Sequence, residues 1–309
     1  MRLKRYEKKF LSLDRGETIS YIEAGLDESA DIIILVHGNY SDSTLFFPLI
    51  EKLEAECKVY AIDLRGMGDS TYNKKATSAR AYSKDVVDFI YKKKIKNALL
   101  LGWSFGGGVC LEAGADLGDF IRGIILLSPM HADGFKMPFM QPFTFSKYAR
   151  AIFPMQMSLL DSFNIFQEIK YLMPDRQMAE SFFKELMFNA KEVDEEYMEI
   201  CLDALYKQRN NIDMAEALCS FNISREDGAY KASRRINYIK VPIVQFHGHK
   251  DVLVPFYEVR DKVKLLGKKT RLIEFENSGH CIINDELDKL LVEIRNFILA
   301  TKIKNRAYI

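Results

Sequence analysis

Six short apolar runs, most of them rich in β-branched residues, recur along this 309-residue chain and constrain its fold more than any other feature. They occupy residues 32–36, 59–62, 98–101, 123–127, 241–246 and 271–275. Other stretches, such as 82–91 and 287–298, place apolar residues three and four positions apart, which is typical of amphipathic helices. Alternating strands and helices predict an α/β fold with a mostly parallel central sheet flanked by helices, and residues 9–24 predict an antiparallel hairpin leading into it.

The alternation stops between residues 130 and 238, where helical segments rich in methionine and phenylalanine take over. We therefore predict an α/β core formed by residues 1–129 and 239–309, interrupted by a helical insertion at 130–238. Ten of the twelve methionines lie in the insertion, together with ten phenylalanines between residues 135 and 188. These side chains form either an ordinary helical core or an adaptable apolar wall over a binding cleft, because methionine and phenylalanine fit irregular nonpolar ligands.

The charge balance argues against polyanionic partners and the hydropathy pattern against a membrane span. Lys and Arg total 44 against 43 for Asp and Glu, so no overall field draws the chain to nucleic acid or anionic lipid. The longest uncharged apolar stretch, 98–111, is shorter than the roughly 20 residues that cross a bilayer. The amino terminus lacks the apolar region of a signal peptide, so we expect a cytoplasmic protein. Five widely spaced cysteines without a C-x-x-C pair predict reduced thiols.

A Gly-Trp-Ser-Phe-Gly pentapeptide at residues 102–106 follows one of the predicted strands and precedes a helical segment. A serine on a tight strand-to-helix turn exposes its hydroxyl, and the two glycines remove side chains that would collide with neighbouring backbone. A glycine-rich turn also produces this pattern for purely structural reasons. The strand, turn and helix context favours Ser104 as a nucleophile.

A serine hydroxyl becomes nucleophilic only when a base accepts its proton, so a histidine is required. His280 follows the last predicted strand, on a loop at the carboxyl edge of the sheet, where open α/β proteins build their sites. His37 and His247 each precede a glycine at a strand end, where we expect a role in the turn, and His131 lies where the insertion begins. We predict His280 as the base.

The third member of such a unit is a carboxylate that orients the imidazole. Asp251 follows the predicted strand 241–246 and yields the chain order Ser, Asp, His. Asp133, just after strand 123–127, is the rival. The spacing His247-x-His249-x-Asp251 also allows a metal site, although no partnering ligand cluster stands elsewhere in the sequence.

Acyl transfer needs donors aimed at the oxyanion that develops on the attacked carbonyl. We predict the backbone N–H of Phe105 as one donor. The second should come from the loop 37–42, with Asn39 preferred and Tyr40 next. The structural alternative for this loop is a plain glycine turn into a helix capped at Ser43.

Taken together, these motifs make the chain resemble the α/β-hydrolase fold superfamily over nearly its whole length. The matching segments are His37-Gly38-Asn39, residues 63–70, 102–106, 251–255 and Ser278-Gly279-His280. The resemblance implies a Ser-Asp-His triad and makes the insertion 130–238 a helical cap, or lid, over the active site. Within the superfamily the chain is similar to bacterial intracellular carboxylesterases, including polyhydroxyalkanoate depolymerase-like hydrolases. Ser104 replaces the acidic nucleophile of the dehalogenase and epoxide hydrolase branches, which argues against both.

The sequence therefore predicts a serine hydrolase that cleaves carboxylic esters of apolar acyl groups, with a small-molecule or oligomeric ester as substrate. No metal or organic cofactor is implied, and no oligomeric state is predicted. Triad chemistry on this fold also serves thioester, amide and carbon–carbon bond cleavage, acyl transfer and cofactor-free peroxidation, so these reactions stay open. A non-catalytic ligand-binding protein with the same fold is an alternative of a different class.

Overall fold

An eight-stranded sheet forms the centre of the protein. The computed structural model describes residues 3–26, 31–134, 175–228, 230–267 and 270–306. The strands are β1 (Lys8–Ser12), β2 (Thr18–Ala24), β3 (Ile32–Val36), β4 (Lys58–Ile62), β5 (Ala98–Trp103), β6 (Ile121–Leu127), β7 (Ile243–Gly248) and β8 (Arg271–Phe275). Their order across the sheet is β1-β2-β4-β3-β5-β6-β7-β8. Every predicted run is a strand.

The pairing of the strands confirms the predicted mostly parallel sheet. β1 and β2 form the antiparallel hairpin, and β2 pairs antiparallel with β4. From β4 through β3, β5, β6 and β7 to β8, all neighbours are parallel. β7 begins two residues later than predicted, because Pro242 has no N–H to donate to the ladder. The carboxyl ends of β3, β5, β6, β7 and β8 therefore meet at one edge.

Helices cover both faces of the sheet. They are α1 (Phe47–Leu53), α2 (Ala79–Lys92), α3 (Phe105–Leu117), α4 (Arg176–Leu186), α5 (Glu195–Lys207), α6 (Asn211–Cys219), α7 (Phe256–Lys262), α8 (Ile282–Asp285) and α9 (Leu287–Arg306). Successive strand residues point to opposite faces: Leu35 packs in the same apolar cluster as Ile294 of α9, and Ile34 in the cluster that contains Val86 of α2. None of the helices in the described ranges has the length and apolar character to cross a membrane.

The part of the predicted insertion that the structure describes is helical. It contains α4, α5 and α6, and no strand occurs in its described residues. Its buried methionine and phenylalanine side chains divide between the two apolar clusters: Phe182, Phe183, Met187, Phe188 and Met198 lie in the cluster that contains Leu35, and Met130, Met214 and Phe221 lie in the one that contains Ile34. These residues match the expectation of an ordinary core. The other phenylalanines and methionines of the predicted wall, from Phe135 to Met173, lie outside the described residues. The boundaries of the cap stay a prediction.

The five cysteines are all buried and unpaired, in agreement with the reduced thiols expected from their spacing. They are Cys57, Cys110, Cys201, Cys219 and Cys281.

A buried cluster of charges ties β1 to the ends of β3 and β4. The ammonium group of Lys8 lies 2.8 Å from Oδ2 of Asp63 and 3.0 Å from Oδ2 of Asp42. Oδ1 of Asp63 accepts a hydrogen bond of 2.8 Å from the N–H of Ser43. Burial raises the pKa of Asp63, but the positive charge of Lys8, the nearby His37 and the hydrogen bonds from Lys8 and Ser43 together outweigh burial, so the pKa lies below its ordinary value.

We expect Lys8→Met to lower the free energy of unfolding by about 3–5 kcal/mol, because it leaves Asp63 and Asp42 buried without their cation. Lys9→Met is the matched control: Lys9 is the next residue and makes an exposed pair with Glu23 at 3.1 Å, which contributes about 0.2–1 kcal/mol. Urea denaturation of both variants measures the difference.

The difference in the free energy of unfolding between Lys8→Met and Lys9→Met should depend on pH. A carboxylate with a lowered folded-state pKa stabilises above its unfolded pKa, about 3.9 for aspartate, and loses that contribution as the pH falls through the folded-state value. The extra loss in Lys8→Met should therefore shrink below about pH 4. Equal losses in both variants at neutral pH would contradict the role assigned to Lys8.

Candidate active site

Ser104, the predicted nucleophile, occupies a strained turn between β5 and α3. Its backbone angles are φ 53° and ψ −120°, a region that costs a residue other than glycine about 1–3 kcal/mol. Hydrogen bonds on both sides hold it there. The N–H of Ser104 donates to the carbonyl of Leu127 at 2.9 Å, and the N–H of Gly107 donates to the carbonyl of Ser104 at 3.0 Å. β6 and the first turn of α3 thus fix the position of the serine.

The glycines on either side of Ser104 allow backbones to approach closely. A Cβ added to Gly102 would lie 2.3 Å from the carbonyl oxygen of Gly106, and one added to Gly106 would lie 2.1 Å from that of Val36. The collisions expected from the sequence pattern are therefore real. A Cβ on Gly38 would lie 2.8 Å from the Cβ of Ser104, so the loop after β3 runs directly beside the serine.

His280 and Asp251, the predicted base and acid, form a buried pair at the same edge of the sheet. Nδ1 of His280 lies 2.8 Å from Oδ2 of Asp251. The second carboxylate oxygen, Oδ1, accepts the N–H groups of Leu253 and Val254, each at 2.9 Å. Two backbone bonds and one imidazole therefore fix the orientation of the carboxylate.

The charge state of Asp251 determines which nitrogen of His280 is available. Burial raises the pKa of Asp251, but the positive charge of His280 and the hydrogen bonds from His280 and His247 hold it well below its ordinary value. An ionised carboxylate only accepts hydrogen bonds, so Nδ1 of His280 carries the proton and donates it. Nε2 of His280 is then available to a different hydrogen-bond partner.

Trp103, one residue before the serine, connects the turn to the histidine loop. Its indole Nε1–H donates to the carbonyl of His280 at 3.0 Å, and the two rings lie 5.3 Å apart between centroids. On the other side of the loop, the N–H of Gly279 donates to the Asp285 carboxylate at 2.8 Å. No role was predicted for Trp103, although it is the one tryptophan of the chain.

His247 contacts the predicted acid directly, which was not expected from the sequence. We expected only a role in the turn before Gly248. In the structure its Nε2 lies 2.7 Å from the carbonyl oxygen of Val254 and 3.3 Å from Oδ2 of Asp251. The ring is fully buried. Asp251 is therefore flanked by two imidazoles, those of His247 and His280.

His37 joins the ends of β3 and β4. Its Nε2 accepts the N–H of Leu64 at 2.9 Å, and Nδ1 lies 2.8 Å from the carbonyl oxygen of Gly38, to which it donates. Burial lowers the pKa of His37 in spite of the nearby Asp63. The two hydrogen bonds of the neutral ring therefore stabilise the start of the loop that passes Ser104.

Asp133, the alternative acid, and His249, a ligand of the alternative metal site, have other partners in the structure. Asp133 forms an ion pair of 3.0 Å with Lys262, away from His280. The His249 ring lies 4.1 Å from that of Phe256, and its Nε2 is 2.9 Å from a carboxylate oxygen of Glu274. No cluster of three or more His, Cys, Asp or Glu side chains suited to a metal ion occurs in the described ranges.

The predicted oxyanion donors, Phe105 and Asn39, differ from the alternative donor, Tyr40, in whether the backbone N–H already donates a hydrogen bond. The N–H groups of Phe105 and Asn39 have no acceptor among the residues that the structure describes. The N–H of Tyr40 donates to Oε1 of Gln208 at 2.8 Å. The loop does lead into a short 3₁₀ helix, Ser43–Phe46, which is capped by Asp42. Loop 37–42 therefore contains both features: it turns into a helix, and the N–H of Asn39 has no acceptor within the described ranges.

Comparison with known proteins identifies the family. The family model described as alpha/beta hydrolase fold matches residues 31–287. The AB hydrolase superfamily protein YisY of Bacillus subtilis is 26% identical over 273 residues, covering 86% of this chain and 90% of that protein. The pimeloyl-(acyl-carrier protein) methyl ester esterase of Aliivibrio fischeri is 21% identical over 273 residues, covering 88% of this chain and 94% of its own.

Among solved structures, an esterase from Exiguobacterium antarcticum has the same fold. It superposes with a TM-score of 0.71 at 20% identity and covers 96% of this chain and 100% of its own. The predicted resemblance to bacterial esterases is confirmed. With the mostly parallel sheet and the matching family model, the chain belongs to the alpha/beta hydrolase fold family.

Proposed function

We propose that this protein is a serine hydrolase that cleaves carboxylic esters of apolar acyl groups through an acyl-enzyme. The observation that carries the proposal is the buried pair of ionised Asp251 and His280 at 2.8 Å, at the edge of the sheet where the strained turn presents Ser104. A base oriented by a carboxylate beside a serine on a sharp turn is the arrangement that activates a hydroxyl.

The reaction proceeds in two halves. Oγ of Ser104 attacks the ester carbonyl carbon while its proton passes to Nε2 of His280, and the tetrahedral intermediate then releases the alcohol, which takes that proton. Water next attacks the acyl-enzyme and gives its proton to His280. The bond to Ser104 breaks, the serine recovers a proton from His280, and the carboxylic acid leaves. Asp251 stabilises the imidazolium that forms twice in this cycle.

The oxyanion is bound by the backbone N–H groups of Asn39 and Phe105. Asn39 is favoured over Tyr40 because the N–H of Tyr40 is already taken by Gln208. The position of Gly38 against Ser104 supports this choice, since it brings the loop that carries Asn39 beside the serine. Donors held by backbone geometry need no reorganisation when the charge develops.

We propose ester cleavage rather than the other triad reactions because two similar proteins are named as esterases. The curated relative from Aliivibrio fischeri is a methyl ester esterase, and the superposed structure from Exiguobacterium antarcticum is an esterase. The preference for apolar acyl groups comes from the methionine and phenylalanine content of residues 130–188.

We expect Ser104→Ala and His280→Ala each to reduce kcat for a p-nitrophenyl ester by about 10⁶-fold, because each removes one member of a unit that fails together. The double variant should be no slower than either single variant. A fluorophosphonate probe should label the wild type and not Ser104→Ala, while circular dichroism stays unchanged. An unlabelled wild type would favour a non-catalytic binding protein, and strictly additive losses would argue against a shared mechanism.

The assignment of the acid is tested by a matched pair of substitutions. Asp251→Asn should lower kcat on the order of 10⁴-fold, because the amide no longer holds the productive imidazole tautomer. Asp133→Asn should change kcat little, since Asp133 pairs with Lys262. The reverse order of effects would move the acid to the end of β6.

The acyl preference is tested with p-nitrophenyl esters of increasing chain length. Each methylene buried in an apolar wall adds up to about 0.8 kcal/mol, so kcat/KM should rise by at most about fifteenfold from acetyl to butyryl. A charged acyl ester of similar length and a hydroxybutyrate oligomer serve as comparisons. If the acetyl ester were best and activity fell steadily with chain length, the proposed preference for apolar acyl groups would be wrong. The expected similarity to polyhydroxyalkanoate depolymerase-like hydrolases would then be wrong as well.

A further inference from the structure

Gln208 connects the insertion to the loop that carries the proposed oxyanion donor. It follows α5 directly, and its side chain is fully buried. Its Nε2 donates to Oδ1 of Asn39 at 2.8 Å, and its Oε1 accepts the N–H of Tyr40 at 2.8 Å. The Tyr40 N–H can only donate, so the carbonyl end of the amide must face it and the NH₂ end must face Asn39. One side chain thus holds both residues of the turn.

The turn at residues 39–40 requires such support. Tyr40 has φ 54°, a left-handed conformation that a residue with a large side chain seldom adopts. The two bonds from Gln208 act on the same short segment, since the Tyr40 N–H belongs to the peptide link between Asn39 and Tyr40. They engage the Asn39 side chain and the Tyr40 N–H, and they leave the Asn39 N–H available. The direction of that N–H follows from the same turn.

We infer that Gln208 is a positioning residue for catalysis: it holds the 39–40 turn so that the Asn39 N–H points at the developing oxyanion. The insertion then contributes to transition-state stabilisation as well as to substrate binding. This inference rests on the proposed serine esterase function. The two hydrogen bonds described above join Gln208 to Tyr40 and Asn39, and neither involves Ser104 or His280.

The next residue of the insertion provides a matched control. The N–H of Arg209 donates to the carbonyl of Gly66 at 2.8 Å, and its guanidinium donates to the carbonyls of Gly68 and Ser70. Arg209 therefore ties the same segment to the core through the loop after β4, without a hydrogen bond to the 39–40 turn. Arg209→Ala loosens the insertion but leaves the proposed oxyanion loop alone.

The primary variant is Gln208→Met, which keeps the volume of the side chain and removes both hydrogen bonds. Deleting an oxyanion donor costs about 10²–10³-fold in kcat, and a donor that is only misdirected should cost less. We expect kcat to fall about 10- to 100-fold with KM within about threefold of wild type. Arg209→Ala should keep kcat within about threefold. Thermal unfolding of both variants checks that each is folded.

A second readout separates oxyanion binding from general packing. A trifluoromethyl ketone forms a tetrahedral adduct whose oxyanion occupies the hole, whereas the corresponding secondary alcohol does not. In Gln208→Met the Ki of the ketone should rise by the same factor as kcat falls, and the Ki of the alcohol should not change. A shared loss for both inhibitors, or an equal kcat loss in Arg209→Ala, would overturn the inference.

A third variant approaches the contact from the other side and remains usable if Gln208→Met does not fold. Asn39→Ala keeps the backbone N–H and removes the acceptor of Gln208. It should lower kcat and weaken the ketone, and its effects should not add to those of Gln208→Met. Wild-type kcat and ketone affinity in the Gln208 and Asn39 variants would overturn this inference alone, whereas turnover by Ser104→Ala would overturn the proposed function.

Discussion

The close contact between the β5–α3 turn and the end of β3 is the constraint on which the rest of the site depends. Ser104 can hold its strained backbone only because Gly102 and Gly106 let three chain segments lie within contact distance. A side chain at Gly106 would push the turn away from β3, and one at Gly102 would push the start of α3 away from the end of β5. The loop after β3, which carries the proposed oxyanion donor, would then no longer pass beside the serine.

The proposed acid and base depend on the same parallel arrangement of strands. Asp251 and His280 follow β7 and β8, whose carboxyl ends point to the edge that also carries Ser104. Neither loop is held by the strands alone: Trp103 bonds the His280 carbonyl, and the backbone of residues 253 and 254 bonds Asp251. Hydrogen bonds to these loops and within them therefore support the site as much as the pairing of the strands does.

Much of the fold could be predicted from the sequence because buried parallel strands are short continuous apolar runs with helical stretches between them. The positions of Ser104, Asp251 and His280 at one edge followed from their place after such runs. The contacts of Gln208 and Trp103 could not be predicted in this way. They join residues 168 and 177 positions apart, and neither periodicity nor strand order indicates which side chain reaches which loop. The lone tryptophan was the one available signal.

The burial of the five thiols has a consequence for chemical labelling. Burial raises the pKa of Cys110 well above its ordinary value and that of Cys281, beside the histidine, to about 12, and only the thiolate reacts with alkylating reagents. A native molecule should therefore resist such reagents even next to its proposed active site. Cys201 and Cys219 lie on α5 and α6, and Cys57 and Cys110 lie in the core. Their alkylation rates would then report separately how often the insertion and the sheet open to solvent.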